Sequence, residues 1–198
     1  MLRNRDITKE DVVGRSRVSK LAATDTELAD KTAHAIKHPW YRCQSLSMVA
    51  EHLNGKRKEK LLLEALEVAK EQVDINRIVT VSAWPIRHLA KFRPEIAKQH
   101  IESLVMLANR EPHTLRRSDA LFALAWSVSK SQEHLKLIVP SLVDALLNGH
   151  GWRIDRIIRA SIKLVQAVQP LSVPALLAHH SDNRKKRQLE NELQSNKI

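Results

Sequence analysis

The sequence predicts an all-α protein whose helices pair as hairpins. Apolar residues recur with helical spacing along most of the chain, and the two-residue alternation typical of strands is hard to find. Only four glycines occur among 198 residues, so few positions interrupt a helix. An apolar fraction of 43% is enough for one continuous core.

Three apolar stripes, each bounded by a helix-breaking residue, predict the first helices of successive hairpins. Asn-Gly pairs and proline are typical of helix ends and of first helical turns, respectively. The breaks are Asn54-Gly55 before the first stripe, Pro94 before the second and Asn148-Gly149 after the third. The stripes themselves cover residues 61–69, 101–108 and 137–147.

Equally apolar segments between these stripes predict the second helices. Each follows a short connection of the kind that joins two antiparallel helices. The segments cover roughly residues 39–53, 75–91, 114–129 and 152–168. Pro85 lies inside one of them, and we expect it to kink that helix because proline lacks the amide hydrogen.

An arginine recurs at an equivalent position of each second helix, at intervals of 35, 40 and 39 residues. In each helix a small or apolar residue follows it four and eight positions later. Leu66, Val105 and Val143 of the first helices repeat independently, at intervals of 39 and 38 residues. The arginines of this register are Arg42, Arg77, Arg117 and Arg156.

Two helices in a period near 40 residues resemble HEAT or armadillo-type repeats. The resemblance covers residues 25–168 and implies a right-handed α-α superhelix of about four to five HEAT-like hairpins. Residues 1–24 then form an N-terminal basic segment or cap. Residues 169–198 form a C-terminal helical cap, with segments at 171–180 and 182–194.

The arginine register and its basic neighbours are the predicted binding surface. Second helices line the concave side of a HEAT-like superhelix, and guanidinium groups suit phosphates and carboxylates. The candidate binding residues are Arg42, Arg77, Arg116, Arg117, Arg153, Arg156, Arg159 and Lys163. The same arginines also fit a structural role, pairing with Asp74, Asp119 or Asp155 to tie the hairpins together; the sequence leaves both roles open.

The charge balance predicts an anionic partner, either an acidic protein face or a nucleic acid. The formal net charge is +11 and the isoelectric point is about 10.0. Residues 1–24 and 182–198 contribute only +3 and +2, so most of the excess belongs to the helical body. The basic run from Arg184 to Arg187 fits either a segment that binds nucleic acid or an acidic surface, or a solubilising cap. The sequence favours the cap, because Glu190 and Glu192 lie at helical spacing to pair with the run.

A catalytic alternative rests on a second resemblance, to DNA glycosylases with HEAT-like repeats. That family implies a carboxylate beside a concave aromatic, and Asp119 with Trp126 is the nearest match here. The two residues are seven positions apart, which is about two helical turns. We expect Trp84 and Trp126 to be packing residues, so the sequence favours a non-catalytic binding scaffold over this enzyme acting on damaged bases.

No metal, cofactor or membrane insertion is expected. The ten histidines form no ligand set with regular spacing, no glycine-rich phosphate loop occurs, and Cys43 fits a small core residue. No apolar stretch approaches the roughly 18 residues of a membrane span, and no signal-peptide pattern is present. We therefore expect a cytoplasmic protein, of an oligomeric state that the sequence does not specify.

Overall fold

The computed structural model describes residues 6–195, and this part of the chain is all-helical. It contains eleven α-helices and no strand. The helices are α1 (Lys9–Leu21), α2 (Thr26–Ala35), α3 (Pro39–Glu51), α4 (Gly55–Ala69), α5 (Ile75–Phe92), α6 (Pro94–Ala108), α7 (Thr114–Ser127), α8 (Gln132–Leu147), α9 (Trp152–Val168), α10 (Val173–His179) and α11 (Asn183–Ser195), with a short 3₁₀ helix at Pro170–Ser172. The first five residues of the predicted N-terminal segment 1–24 and the last three of the predicted C-terminal cap 169–198 lie outside this description.

The helix starts follow from local chemistry that the sequence shows directly. The predicted second helices begin where expected, at Pro39, Ile75, Thr114 and Trp152, although α3 and α7 each end two residues earlier than predicted. Proline stands in the first turn of α3, where its missing amide hydrogen costs nothing. The all-α prediction is therefore confirmed for the described chain.

The chain divides into two compact units, residues 1–100 and 101–198. In the first unit, α1 packs on α2 and α3, α4 packs on α3 and α5, and α3 also contacts α5 directly. The core between these helices is apolar and fully buried at Leu46, Leu62 and Ile86. The two predicted second helices of this unit are thus direct neighbours.

Residues 9–21 of the predicted N-terminal segment form helix α1, which a capping box begins. The Thr8 hydroxyl accepts from the backbone N–H of Asp11, and the Asp11 carboxylate accepts from the backbone N–H of Thr8. The same carboxylate accepts from the backbone N–H groups of Lys37 and His38, both at 2.9 Å. Asp11 therefore joins the start of α1 to the start of α3.

The second unit repeats the arrangement of neighbouring second helices. Helix α7 packs on α8 and α9, and α8 packs on α9 and α10. Leu121, Leu142 and Ile158 are fully buried between them. The 3₁₀ helix contacts α9 and α10, and α11 contacts α10.

Pro85 lies inside α5, which continues through it as one helix from Ile75 to Phe92. A proline here cannot donate to the carbonyl of Val81, four residues earlier. The Cys43 thiol of α3 donates to that carbonyl instead, with 3.6 Å between Sγ and O. Burial raises the pKa of the Cys43 thiol, although the Ser47 hydroxyl works in the opposite direction, so the group keeps the proton that it donates.

We predict that Cys43 and Pro85 are energetically coupled. Cys43→Ala removes the donor to the Val81 carbonyl and some buried volume, and is expected to cost about 1–2 kcal/mol of unfolding free energy. In a Pro85→Ala protein the amide hydrogen of residue 85 donates to the Val81 carbonyl. Cys43→Ala should then lower the unfolding free energy by about 0.5–1 kcal/mol less than it does in the parent protein. Urea unfolding of the four proteins measures the coupling, and strictly additive losses would contradict this account.

Gly151 sets the backbone immediately before α9. Its φ of 96° and ψ of 170° lie in a region that is almost exclusive to glycine, and a Cβ placed there would meet no atom within 4 Å. Gly151→Ala is therefore expected to lower the unfolding free energy by about 1–3 kcal/mol through backbone strain alone. Urea denaturation checks this, and a loss below about 0.5 kcal/mol would show that the turn relaxes without strain.

Candidate basic binding surface

The register arginines of the first unit form ion pairs. On α3, Arg42 pairs with Glu71, which follows α4. On α5, the Nε atom of Arg77 lies 3.6 Å from a carboxylate oxygen of Asp74, at the start of the same helix. Only the Arg42 pair joins one helix to a segment beyond another, which is the kind of contact that the structural role requires; the Arg77 pair lies at the start of α5.

Two adjacent arginines, Arg116 and Arg117, lie in the first turn of α7 in the second unit. The Arg116 Nε lies 3.6 Å from a carboxylate oxygen of the buried Glu111. The Nε of Arg117 is buried and has no hydrogen-bond partner within residues 6–195. Arg117 thus has one buried donor that no group of the described chain accepts from.

The start of α9 carries an exposed aromatic ring with two guanidinium groups close to it. Trp152 is 66% exposed. The guanidinium carbons of Arg153 and Arg156 lie 5.4 and 5.8 Å from the centroid of its ring, within the range of cation–π attraction. Both arginines are exposed to solvent. We call Trp152, Arg153 and Arg156 the tryptophan-arginine patch.

Asp119 of α7 lies in the electrostatic field of this patch. It is half-buried, and that burial raises the pKa of its carboxyl group. Arg156 and Arg153 act in the opposite direction because their positive charges favour the carboxylate. Asp119 is therefore a carboxyl group with a raised pKa at the edge of a cationic and aromatic surface.

The sequence expectation for Trp126 is wrong. The side chain is 53% exposed rather than packed in the core, and its ring contacts Phe122 at 6.0 Å between centroids. Asp119 and Trp126 occupy one helix, seven residues and about 10 Å of helix rise apart. The aromatic residue associated with Asp119 through Arg153 and Arg156 is Trp152, which the sequence argument did not consider for this role.

The remaining predicted binding residues lie further along α9. Arg159 is half-buried, and its Nη1 lies 3.0 Å from the Nε2 of the buried His180. Lys163 is exposed, seven residues beyond Arg156 and therefore close to the same face of the helix. The buried Asp155 accepts hydrogen bonds from Ser181, so its carboxylate binds the loop before α11.

A second arginine-aromatic cluster, in the first unit, was missed by the sequence argument. The guanidinium of Arg15 lies 6.0 Å from the ring of Tyr41 and 5.9 Å from that of Trp84, and its Nε donates to Gln44 at 2.7 Å. Arg87 lies 6.0 Å from the Trp84 ring. No spacing signal could reveal this cluster, because it requires α1 to pack against α3.

Within residues 6–195, no group of three or more His, Cys, Asp and Glu side chains is arranged to hold a metal ion. The same part of the chain contains no helix with the length and apolar character needed to cross a bilayer. The tryptophan-arginine patch is cationic and aromatic, with Asp119 as the carboxyl group beside it.

Comparison of this chain with protein-family models, with curated proteins and with solved structures finds no match in any of the three.

Proposed function

We propose that this protein is a HEAT-like α-solenoid, a right-handed superhelix of about four to five hairpins, that acts as a non-catalytic scaffold. It holds an anionic macromolecule, an acidic protein face or a nucleic acid, on a basic surface. The arginine register and the alternation of first and second helices support the architecture. The direct packing of α3 on α5 and of α7 on α9 is consistent with it.

The observation that carries the binding function is the tryptophan-arginine patch. It brings two exposed guanidinium groups next to an exposed indole, so positive charge and apolar surface are both accessible to a ligand at one place. Their planar donors match carboxylate and phosphate oxygens. The net charge of +11 adds a long-range attraction for any polyanion.

Binding measurements with three polyanions test this function. We expect duplex DNA, a single-stranded oligonucleotide or an oligoglutamate peptide to bind at low salt, and Arg153→Ala with Arg156→Ala to weaken the best of them about 10-fold. Arg184→Ala with Arg187→Ala is the matched control, because both residues are exposed and the loss of charge is the same. Equal weakening by both double variants would reduce the effect to net charge and overturn the patch as the site.

The proposal also includes the register arginines of the other second helices as part of the binding surface. In a superhelix of this type, one arginine of each hairpin faces the concave wall, so Arg77→Ala with Arg117→Ala should weaken binding while circular dichroism and the unfolding midpoint stay unchanged. A large loss of stability instead would assign these two arginines a structural role.

Asp119 favours a second candidate, a glycosylase-like HEAT-repeat enzyme acting on damaged bases. A carboxyl group with a raised pKa beside arginines and an aromatic ring is a candidate catalytic group. This candidate predicts release of modified bases from an alkylated duplex and loss of that release in Asp119→Asn. Binding to DNA without release of any base would rule out the enzyme and would agree with the non-catalytic scaffold.

A further inference from the structure

The tryptophan-arginine patch combines two chemistries that different parts of one ligand can satisfy. The indole of Trp152 offers a flat apolar surface, 66% exposed, at the first residue of α9. Arg153 and Arg156 place positive charge within 6 Å of that ring. A ligand that fits the whole patch must therefore present an unsaturated planar group next to negative charge.

We infer that the patch binds single-stranded nucleic acid, with an unpaired base stacked on Trp152 and flanking phosphates held by Arg153 and Arg156. This inference rests on the proposed function and specifies its partner. Bases stack on aromatic side chains whatever their sequence, and guanidinium groups contact phosphate oxygens with paired donors. The patch supplies both contacts within one helical turn.

The rest of the exposed face of α9 provides a path for the strand. Exposed positions follow Trp152 at helical spacing, at Arg156, Ala160 and Lys163. The small side chain of Ala160 leaves the surface between the two cations open. The distance from Trp152 to Lys163 along the helix is about 16 Å, so the basic stripe is long enough for more than one phosphate contact.

The exposed ring favours a single strand over the other anionic partners. An acidic peptide would neutralise the arginines but would offer Trp152 no planar group. In a duplex the bases already stack on one another, so the ring could reach one only after the pair is opened.

Fluorescence titration of the full chain with a 20-nucleotide oligo(dT), its RNA counterpart oligo(U), a 20-base-pair duplex and an oligoglutamate peptide tests the inference. We expect the single strands to bind more tightly than the duplex or the peptide and to quench tryptophan emission. Trp152→Ala should weaken binding to the single strands about 10-fold, within the 5- to 150-fold range that stacking one base spans, with an unchanged salt dependence. Trp152→Phe should retain affinity within about 3-fold and abolish most of the quenching.

The same titration, repeated at several salt concentrations, separates the contribution of charge to the binding affinity from the contribution of stacking. Arg153→Ala with Arg156→Ala should reduce the slope of log affinity against log salt by about 1.4, if each arginine contacts one phosphate. Met106→Ala is the matched control, because this large apolar side chain is similarly exposed, at 62%, and lies on α6 rather than on α7 or α9. Its affinity should equal that of the parent protein.

The contrary outcomes distinguish the inference from the proposed function. If Trp152→Ala binds single strands as the parent does while the arginine variant is weakened, the stacking site is wrong and the anion scaffold stands. Preference for oligoglutamate or for the duplex also overturns the single-strand inference alone. If none of the four ligands binds at low salt, both the inference and the proposed function fail.

Discussion

Asp11→Ala is expected to lower the unfolding free energy by about 3 kcal/mol, one of the two largest losses that we predict. The side chain is only 3% exposed, and its carboxylate accepts from the backbone N–H groups of Thr8, Lys37 and His38. Removal leaves donors at the start of α3 unpaired inside the protein. It also removes the capping box of α1.

Acid titration gives this prediction a second readout. Burial alone would raise the pKa of the Asp11 carboxyl group. Hydrogen bonds lower this pKa to about 2; they come from the backbone N–H groups of His38, Thr8 and Lys37 and from the Thr8 hydroxyl. Since the native pKa is below the unfolded value near 3.8, the carboxylate stabilises the fold above about pH 4. That contribution is lost as the pH falls towards 2.

Urea unfolding between pH 7 and pH 2.5 measures both effects. Glu10→Ala is the matched control, because this exposed acid lies in the same first turn and should change stability by less than about 0.5 kcal/mol. Asp11→Asn keeps one acceptor oxygen and should lose less than Asp11→Ala. An Asp11→Ala protein as stable as the Glu10→Ala protein, with an unchanged acid profile, would show that the three amides find other partners.

Asp155→Ala is expected to cost about 2–3 kcal/mol in the second unit. Asp155 is 5% exposed in the first turn of α9. Its carboxylate accepts from the hydroxyl of Ser181 and, at 3.3 Å, from the backbone N–H of the same residue. A negative charge here also interacts favourably with the N-terminal end of the helix dipole.

A double-mutant cycle between Asp155 and Ser181 assigns this loss. Ser181→Ala should cost about 1 kcal/mol in the parent protein and almost nothing after Asp155→Ala, because the hydroxyl then has lost its acceptor. Asp144→Ala, an exposed acid of α8, should change the midpoint of urea unfolding little. Full additivity at Asp155 and Ser181 would refute the assigned bond.

The secondary structure was predictable because its signals are local. Pro39, Asn54-Gly55 and Pro94 act within one or two turns, and α3, α4 and α6 begin at those signals. Helix α1 also carries a local signal, the Thr8-to-Asp11 capping spacing, although apolar periodicity alone did not mark the segment as a helix. The sequence did not show which group would replace the amide hydrogen missing at Pro85, because the donor to the Val81 carbonyl is Cys43 of another helix.

The candidate site was predictable only in part. Arg153 and Arg156 were among the predicted binding residues, yet Trp152 beside them was not, and Trp126 was expected to be a packing residue although it is 53% exposed. Exposure of a tryptophan depends on which helix face meets a neighbour. That choice is made by packing between helices and is absent from the spacing along any single helix.

The sequence by itself determined that the chain is helical, where most helices begin, and that its formal net charge is +11. These properties depend on residue type, on caps and on apolar period, all of which act over a few residues. Tertiary structure alone decided which arginines pair with acids and which cover Trp152. It also decided that Asp11 and Asp155 bind backbone groups 26 or 27 residues away in the chain. Such contacts form only when helices distant in sequence pack together, so no local pattern records them.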